Sequence, residues 1–282
     1  MNFAEALARA TTELQKNRIE DPRLEAEILL AYALNVKRID FITQGNRIIG
    51  SEVSEKIKEI LERRIKHEPT AYIVGSQPFI SLDFFVNRSV LIPRPETELL
   101  VEKTIDLISN FKFQISNFVI ADIGTGSGCI AVSLAKYLPN VSVIGIDSFP
   151  EVIEMSINNA RRHEVDDRCQ FIVGNMLGPL KEKVDIIVSN PPYIPSAEIE
   201  RLQSEVKDWE PKHALDGGAD GLDCVRKLIE ESPLYLKKNG YLAFEFGAGQ
   251  ADKIKKLAGS SFKKIEIIKD YSKIERVFLG QL

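Results

Sequence analysis

Val188-Ser189-Asn190-Pro191-Pro192-Tyr193 is the part of this 282-residue chain that speaks most directly about chemistry. An asparagine, two prolines and an aromatic ring make a receptor for a planar –NH₂ group. Each proline fixes φ and removes a backbone donor, leaving carbonyls free to accept hydrogen bonds. The Asn190 side-chain oxygen and the Pro191 carbonyl can each take one N–H, while Tyr193 stacks on the plane. The bland alternative is a proline-rich turn that ends a strand. A second constellation lies upstream, at Asp122-Ile123-Gly124-Thr125-Gly126-Ser127-Gly128. Glycines there let the backbone turn tightly and approach a ligand at a helix N-terminus, where free N–H groups collect. A dinucleotide fingerprint would read Gly-x-Gly-x-x-Gly, but the third glycine here is Gly128 and position 129 is Cys. Asp147, at the end of Val143-Ile144-Gly145-Ile146-Asp147, has two readings. It can accept two hydrogen bonds from a ribose diol, or it can cap the helix that opens near Pro150.

Elements must carry these residues to one place. From about residue 118 the pattern alternates strand and helix. Strand-like runs are Phe118–Ile123, Val141–Ile146, Gln170–Val173, Val184–Ser189, Tyr241–Phe246, Ile265–Ile268 and Arg276–Leu279. Helical patterns fall at Ile130–Tyr137, Pro150–Arg162 and Leu222–Tyr235. Alternation of this length predicts a doubly wound, mostly parallel α/β sheet. The last two runs are close together, so one of them is expected to run antiparallel. Ligands of such sheets bind at the carboxyl ends of the strands, where both constellations sit.

The first seventy residues read instead as four or five short helices. Phe3, Ala6, Leu7, Ala10 and Leu14 recur at helical spacing. Asp21-Pro22 predicts an N-cap with proline at the first helical position. Ser51 and Ser54 precede another amphipathic run, which Pro69 closes. Residues 72–92 change character: Tyr72-Ile73-Val74, Phe84-Phe85-Val86 and Val90-Leu91-Ile92 suggest a β-hairpin turning at Asn87-Arg88. Pro93-Arg94-Pro95 ends it, and a helix is expected over Glu96–Ile108. The domains expected are a helical bundle at 1–71, a hairpin linker at 72–94 and an α/β domain at 95–282.

The glycine loop, read as Asp-x-Gly-x-Gly-x-Gly, resembles motif I of class I S-adenosylmethionine (AdoMet) methyltransferases. That resemblance implies a seven-stranded Rossmann-like sheet. It also implies AdoMet held by Asp122, Gly124, Thr125, Gly126, Ser127, Gly128 and Asp147. Asn175-Met176 lies where this class contacts adenine, with Asn on the ring edge and Met on its face. The family position is commonly Asp, and a surface turn is the alternative. The Asn190–Tyr193 tetrad is similar to that of enzymes methylating planar nitrogens: amino groups of DNA bases, guanine amino groups of RNA, or glutamine amides of proteins. Leu91-Ile92-Pro93-Arg94-Pro95-Glu96-Thr97-Glu98, Asp216-Gly217-Gly218-Ala219-Asp220-Gly221-Leu222, Phe244-Glu245-Phe246-Gly247 and Asp270-Tyr271…Glu275-Arg276-Val277 all resemble the PrmC/HemK family. The resemblance spans nearly the whole chain. It implies methylation of the glutamine in the Gly-Gly-Gln motif of peptide chain release factors, with Asn190, Pro191, Pro192 and Tyr193 catalytic and Asn190 also beside the cofactor. Under it, the helical bundle recognises the protein substrate. Arg94 and Glu96 either shape the pocket wall or are structural. The competing reading is a DNA or RNA amino-methyltransferase with the same tetrad.

Charge argues between the two. Lys and Arg total 37 against 41 Asp and Glu, for a net charge of −4, and the pI is about 5.6. Unaided nucleic-acid binders usually show a basic face and a high pI. Residues 1–75 hold 12 charges of each sign, leaving 25 against 29 for the rest. No stable nucleic-acid binding is expected, and a monomer is. No run approaches the ~18 apolar residues of a membrane span. Met1-Asn2-Phe3-Ala4-Glu5 has no basic or apolar secretory signal, so the cytoplasm is the expected location. Cys129, Cys169 and Cys224 are far apart and form no disulfide framework. His67, His163 and His213 lack metal-ligand spacing and read as surface or capping residues. No metal is expected.

Overall fold

The structure, a computed structural model, describes residues 1–110 and 118–282. They divide into two compact units, Met1–Ser76 with Gln203–Trp209, and Gln77–Leu202 with Glu210–Leu282. The first unit thus runs a few residues past the boundary expected at 71 and takes in a distant segment. The hairpin is counted with the second.

The first unit holds α1 (Phe3–Lys16), α2 (Pro22–Leu34), α3 (Asp40–Thr43), α4 (Ser51–Ile65) and α5 (Thr70–Val74). A capping box starts α1: the Glu5 N–H donates to Asn2 Oδ1 at 2.9 Å and the Asn2 N–H to Glu5 Oε2 at 3.0 Å. Phe3, Ala6, Ala10 and Leu14 bury its apolar stripe against Leu29, Leu30, Ile57 and Ile60. Asp21 departs from expectation. It occupies the N-cap position of α2 with φ +45°, and its side chain makes no capping bond, because a capping carboxylate normally projects from an extended residue. Arg64 is 2% exposed. A buried guanidinium must be paired, and Arg64 bonds Glu25 Oε2 and Glu205 Oε1, each at 2.7 Å. Glu205 arrives with the segment Gln203–Trp209.

Residues 72–92 also differ from the sequence reading. Tyr72, Ile73 and Val74 belong to the helical turn α5, which Gly75 ends at φ +80°. Short β-branched runs do not distinguish strand from buried helix. The hairpin is β1 (Ser76–Phe79) and β2 (Leu82–Phe85). It turns at Ile80-Ser81, both at positive φ, as a two-residue hairpin requires, and not at Asn87-Arg88. Val90–Ile92 forms no strand; it is a strap leading into α6 (Pro95–Asn110).

The second unit then runs β3 (Phe118–Ile123), α7 (Cys129–Tyr137), β4 (Val141–Asp147), α8 (Pro150–Arg162), β5 (Cys169–Val173) and β6 (Val184–Ser189). After α9 (Ser204–Lys207), in the segment described above, come α10 (Asp223–Tyr235), β7 (Leu236–Glu245), α11 (Ala251–Ala258), β8 (Lys264–Lys269) and β9 (Glu275–Gln281). The sheet order is β5-β4-β3-β6-β7-β9-β8. Neighbours from β5 to β7 are parallel, while β9 is antiparallel to both β7 and β8. The α11 helix was not foreseen. Its eight residues bury only Ala251, Ile254 and Ala258, a stripe too short to stand out.

Strands covered on both faces need apolar residues throughout. Ile120, Val143, Val188 and Ala243 face one core with Leu100 and Leu134. Ala121, Ile123, Ile146 and Phe244 face the other with Leu228 and Ile254. The chain order reverses between the neighbours β3 and β6, so the loops after β3, β4, β5 and β6 open onto one crevice. No described helix is long and apolar enough to cross a membrane.

Candidate functional site

That crevice is a cleft of about 320 Å³, within the ~300–1,000 Å³ usual for small-molecule sites. The loop after β3 forms one wall. The N–H groups of Gly124 and Thr125 donate to the Ile146 carbonyl at 2.8 and 3.0 Å. Gly124, Gly126 and Gly128 all have positive φ. A Cβ on Gly124 would meet no atom within 4 Å, so this backbone borders open cleft. Behind it Asp122 is fully buried. Its Oδ2 accepts from Thr125 Oγ1 at 2.7 Å and from the Ala131 N–H at 3.2 Å, while Oδ1 has no partner. Burial pushes its carboxyl up to about 7, against the two bonds that lower it. Ser127 is buried beneath the loop. Two residues of α8 that sequence reasoning passed over hold it: Ser156 Oγ donates to the Gly126 carbonyl at 2.7 Å and Asn159 Nδ2 to that of Ser127 at 2.8 Å.

The Asp122 carboxyl gives a prediction about stability. Its folded value of about 7 exceeds the ordinary 3.8, so the folded chain binds the extra proton between those values. Stability conferred by that proton is present at low pH and lost as pH rises. Between pH 5 and pH 8, urea unfolding of the cofactor-free protein should show wild type losing about 2–3 kcal/mol relative to Asp122→Asn. Equal slopes for the two proteins would contradict it.

Asp147 lines the same cleft. Its Oδ2 accepts from the Gly126 N–H at 3.2 Å and its Oδ1 from the Phe149 N–H at 3.3 Å. Each oxygen keeps a lone pair. Burial raises this carboxyl too, opposed by backbone bonds from Gly126 and Phe149. The N-cap position of α8 is Phe149, and no side chain caps it. Asn175 and Met176 both line the cleft, Met176 at φ +50°. So does His213, an exposed residue as expected, whose ring centroid lies 4.0 Å from that of Phe149. Arg94 lines the wall and pairs with Glu210, while Glu96 is exposed and is not a lining residue.

Opposite stands the loop after β6. Asn190 and Pro192 line the cleft; Pro191 and Tyr193 are not among the lining residues. Asn190 Nδ2 donates to Thr97 Oγ1 at 2.9 Å, and Thr97 Oγ1 donates to Glu245 Oε2 at 2.6 Å. The Tyr193 hydroxyl donates to Glu245 Oε1 at 3.0 Å. Asn190 Oδ1 is buried and has no partner. Burial raises the Glu245 carboxyl, against bonds from Thr97 and Tyr193. Thr97 and Glu245 lie far away in sequence, and no local signal marks them as partners of Asn190.

The Asp216–Leu222 run explains itself against this loop. Ile194 and Asp216 form a parallel bridge, with the Ile194 N–H on the Leu215 carbonyl at 3.1 Å and the Gly217 N–H on that of Ile194 at 2.9 Å. Gly221 packs so closely that a Cβ would lie 2.3 Å from the Tyr193 carbonyl oxygen, and its φ is +75°. Gly221→Ala should therefore cost about 2–4 kcal/mol. Urea unfolding checks this; an unchanged midpoint would contradict the close packing.

Sheet order and switch-point cleft define a Rossmann-like fold, and the matching family model and relatives make it a class I methyltransferase, an enzyme. Residues 114–245 match a family model described as a methyltransferase domain, and residues 5–75 match the PrmC N-terminal domain. The release factor glutamine methyltransferase of Geobacter sulfurreducens is 40% identical over 271 residues, spanning 95% of this chain and 93% of that protein. The protein of the same name from Thermodesulfovibrio yellowstonii is 40% identical over 262 residues, 91% of each. A solved methyltransferase from Pyrococcus furiosus shares the fold with a TM-score of 0.53 at 19% identity, covering 81% of this chain and 98% of that one. The chain belongs to the release factor glutamine methyltransferase family.

Proposed function

We propose that this enzyme transfers a methyl group from AdoMet to the side-chain amide nitrogen of the glutamine in the Gly-Gly-Gln motif of peptide chain release factors. One observation carries the reading. Asn190 Oδ1 is a buried acceptor without a partner in the wall of the cleft. An unmet buried acceptor is costly unless a ligand satisfies it, and an amide N–H is such a ligand. The family supports release factors as the substrate.

The residues present fit AdoMet. Gly124, Thr125, Gly126 and Ser127 line the cleft, and the space beside Gly124 is open; Gly128, packed against Ser156, and the buried Asp122 would support that cradle from behind. Asp147 retains lone pairs for ribose hydroxyls, and Asn175 and Met176 border the same cleft for the base. When bound, AdoMet supplies a methyl group on a positively charged sulfur, open to in-line displacement. An amide nitrogen is a poor nucleophile because its lone pair is delocalised into the carbonyl. Asn190 Oδ1, on a lining residue, would take one of its N–H bonds and the carbonyl of the adjoining Pro191 the other, which would leave the lone pair free to face the methyl donor. Such positioning supplies up to ~7–11 kcal/mol. The same acceptors stabilise positive charge developing on nitrogen, and the proton leaves after transfer. Pro192 forms wall, and Tyr193, tethered to Glu245, holds the loop's end. The unit Met1–Ser76 is assigned to grip the release factor, and the enzyme to work in the cytoplasm as a monomer.

Asp147→Ala should weaken AdoMet binding by about 1.5–3 kcal/mol, the range for bonds to a charged group. Calorimetry checks this, and unchanged affinity would assign Asp147 to loop structure alone. The function itself is tested by offering labelled AdoMet with either a purified release factor or an adenine-containing oligonucleotide. Label on the protein is expected; label on the oligonucleotide alone would overturn the reading.

A further inference from the structure

We infer that Glu245, acting through Thr97, fixes which end of the Asn190 amide faces the cleft, so that the site selects nucleophiles bearing N–H donors. This rests on the glutamine reading above and adds two positioning residues to it.

The argument is a count of hydrogens. A threonine hydroxyl has one hydrogen and two lone pairs. Thr97 Oγ1 donates its single hydrogen to Glu245 Oε2 at 2.6 Å. What Thr97 can then offer Asn190 is a lone pair. The amide must turn its nitrogen toward Thr97, as the 2.9 Å bond from Nδ2 records. Its oxygen is left on the other side, buried and without a partner, in the cleft wall. Glu245 is itself held by the Tyr193 hydroxyl at 3.0 Å. The carboxylate thus polarises a one-way chain, from amide through hydroxyl to carboxylate. Reversing it would present the Asn190 –NH₂ to the cleft, and two donors would then face each other across the reacting nitrogen.

The lock has a built-in pH dependence. Groups facing Glu245 are Glu96 and Thr97 from α6, Tyr193 from the loop after β6, Cys129 from α7 and Arg276 from β9. Burial and Glu96 raise its carboxyl, while Thr97, Tyr193 and Arg276 lower it. Burial also raises the Cys129 thiol to about 12, so it stays neutral over the working range. Once protonated, Glu245 can donate to Thr97 Oγ1. Thr97 then has a hydrogen to give, and the amide gains by turning over. Activity should therefore fall on the acid side, starting above the ordinary carboxylate range.

Thr97→Val removes the relay at nearly constant shape, and Thr97→Ser keeps it. With intact protein, AdoMet and a release factor, kcat should fall about 10–100-fold in Thr97→Val and recover to within about threefold of wild type in Thr97→Ser. The KM for AdoMet should change little in either, while the thermal midpoint should drop in Thr97→Val, which strands two buried polar groups, and stay near wild type in Thr97→Ser. The acid limb of kcat expected of wild type should be absent from Thr97→Val. Glu245→Gln, whose amide can face Thr97 either way, should fall between wild type and Thr97→Val. Equal activity of wild type and Thr97→Val, or equal losses in Thr97→Val and Thr97→Ser, would overturn the lock while leaving the glutamine reading standing. A wild-type enzyme that methylates no glutamine would overturn both.

Discussion

Asn190→Ala is expected to lower kcat by about 10²–10³-fold, as loss of an oriented polar contact to a reacting group does elsewhere, while AdoMet affinity stays within about threefold. The contact is to the nucleophile, so it matters most in the transition state. Alanine removes one of the two acceptors proposed to hold the amide N–H bonds. It also strands the Thr97 hydroxyl, which receives the Asn190 Nδ2–H at 2.9 Å. Asn190→Asp tests a separate point. It keeps an acceptor in the cleft but loses the donor to Thr97 and sets a second carboxylate near Glu245. It should be nearly as poor as alanine. Steady-state kinetics with separate titration of AdoMet and release factor measures both; a loss confined to AdoMet affinity would move Asn190 out of the nucleophile's site.

Replacing the target glutamine of the release factor by asparagine should abolish turnover, at more than about 10³-fold. One methylene fewer withdraws the nitrogen by about one bond length, ~1.5 Å, and misplacement by ~1 Å already costs about 10²-fold. The acceptors cannot follow. Asn190 is tied to Thr97 and Glu245, and the loop after β6 is pinned by the Ile194–Asp216 bridge. Glycines beside the glutamine let it reach a recessed site without backbone collision. Measurable methylation of the asparagine variant would mean that the loop is adaptable and not fixed.

Much of this organisation was legible in the sequence. The seven strand-like runs each correspond to a strand of the sheet; the central β3 and β6 announce themselves as continuous apolar runs because both of their faces are buried. The glycine loop and the Asn190–Tyr193 stretch fall beside one cleft, since the topology switches between β3 and β6. What escaped was mostly non-local. Thr97 and Asn190 are 93 residues apart, and Thr97 and Glu245 are 148 apart; no periodicity links them. Ser156 and Asn159 looked like ordinary polar positions of an amphipathic helix, yet they clamp the glycine loop. Gln203–Trp209 belongs to the first unit, where Glu205 pairs with the buried Arg64 and Gln203 bonds Glu20; neither partner is visible in the sequence. The differences in residues 72–92 are local: Ile80-Ser81 carries no Gly, Asn or Asp to mark a positive-φ turn, while Asn87-Arg88 carries Asn.

The central claim is that this cleft methylates the side-chain nitrogen of one glutamine in a release factor. Its most direct test is to incubate the enzyme with isotopically labelled AdoMet and a purified release factor, digest the product and map the label by fragment mass spectrometry. One added methyl group on the side-chain nitrogen of the Gly-Gly-Gln glutamine is the expected result. Label on any other residue, or none on a release factor under conditions where AdoMet binds, would contradict it.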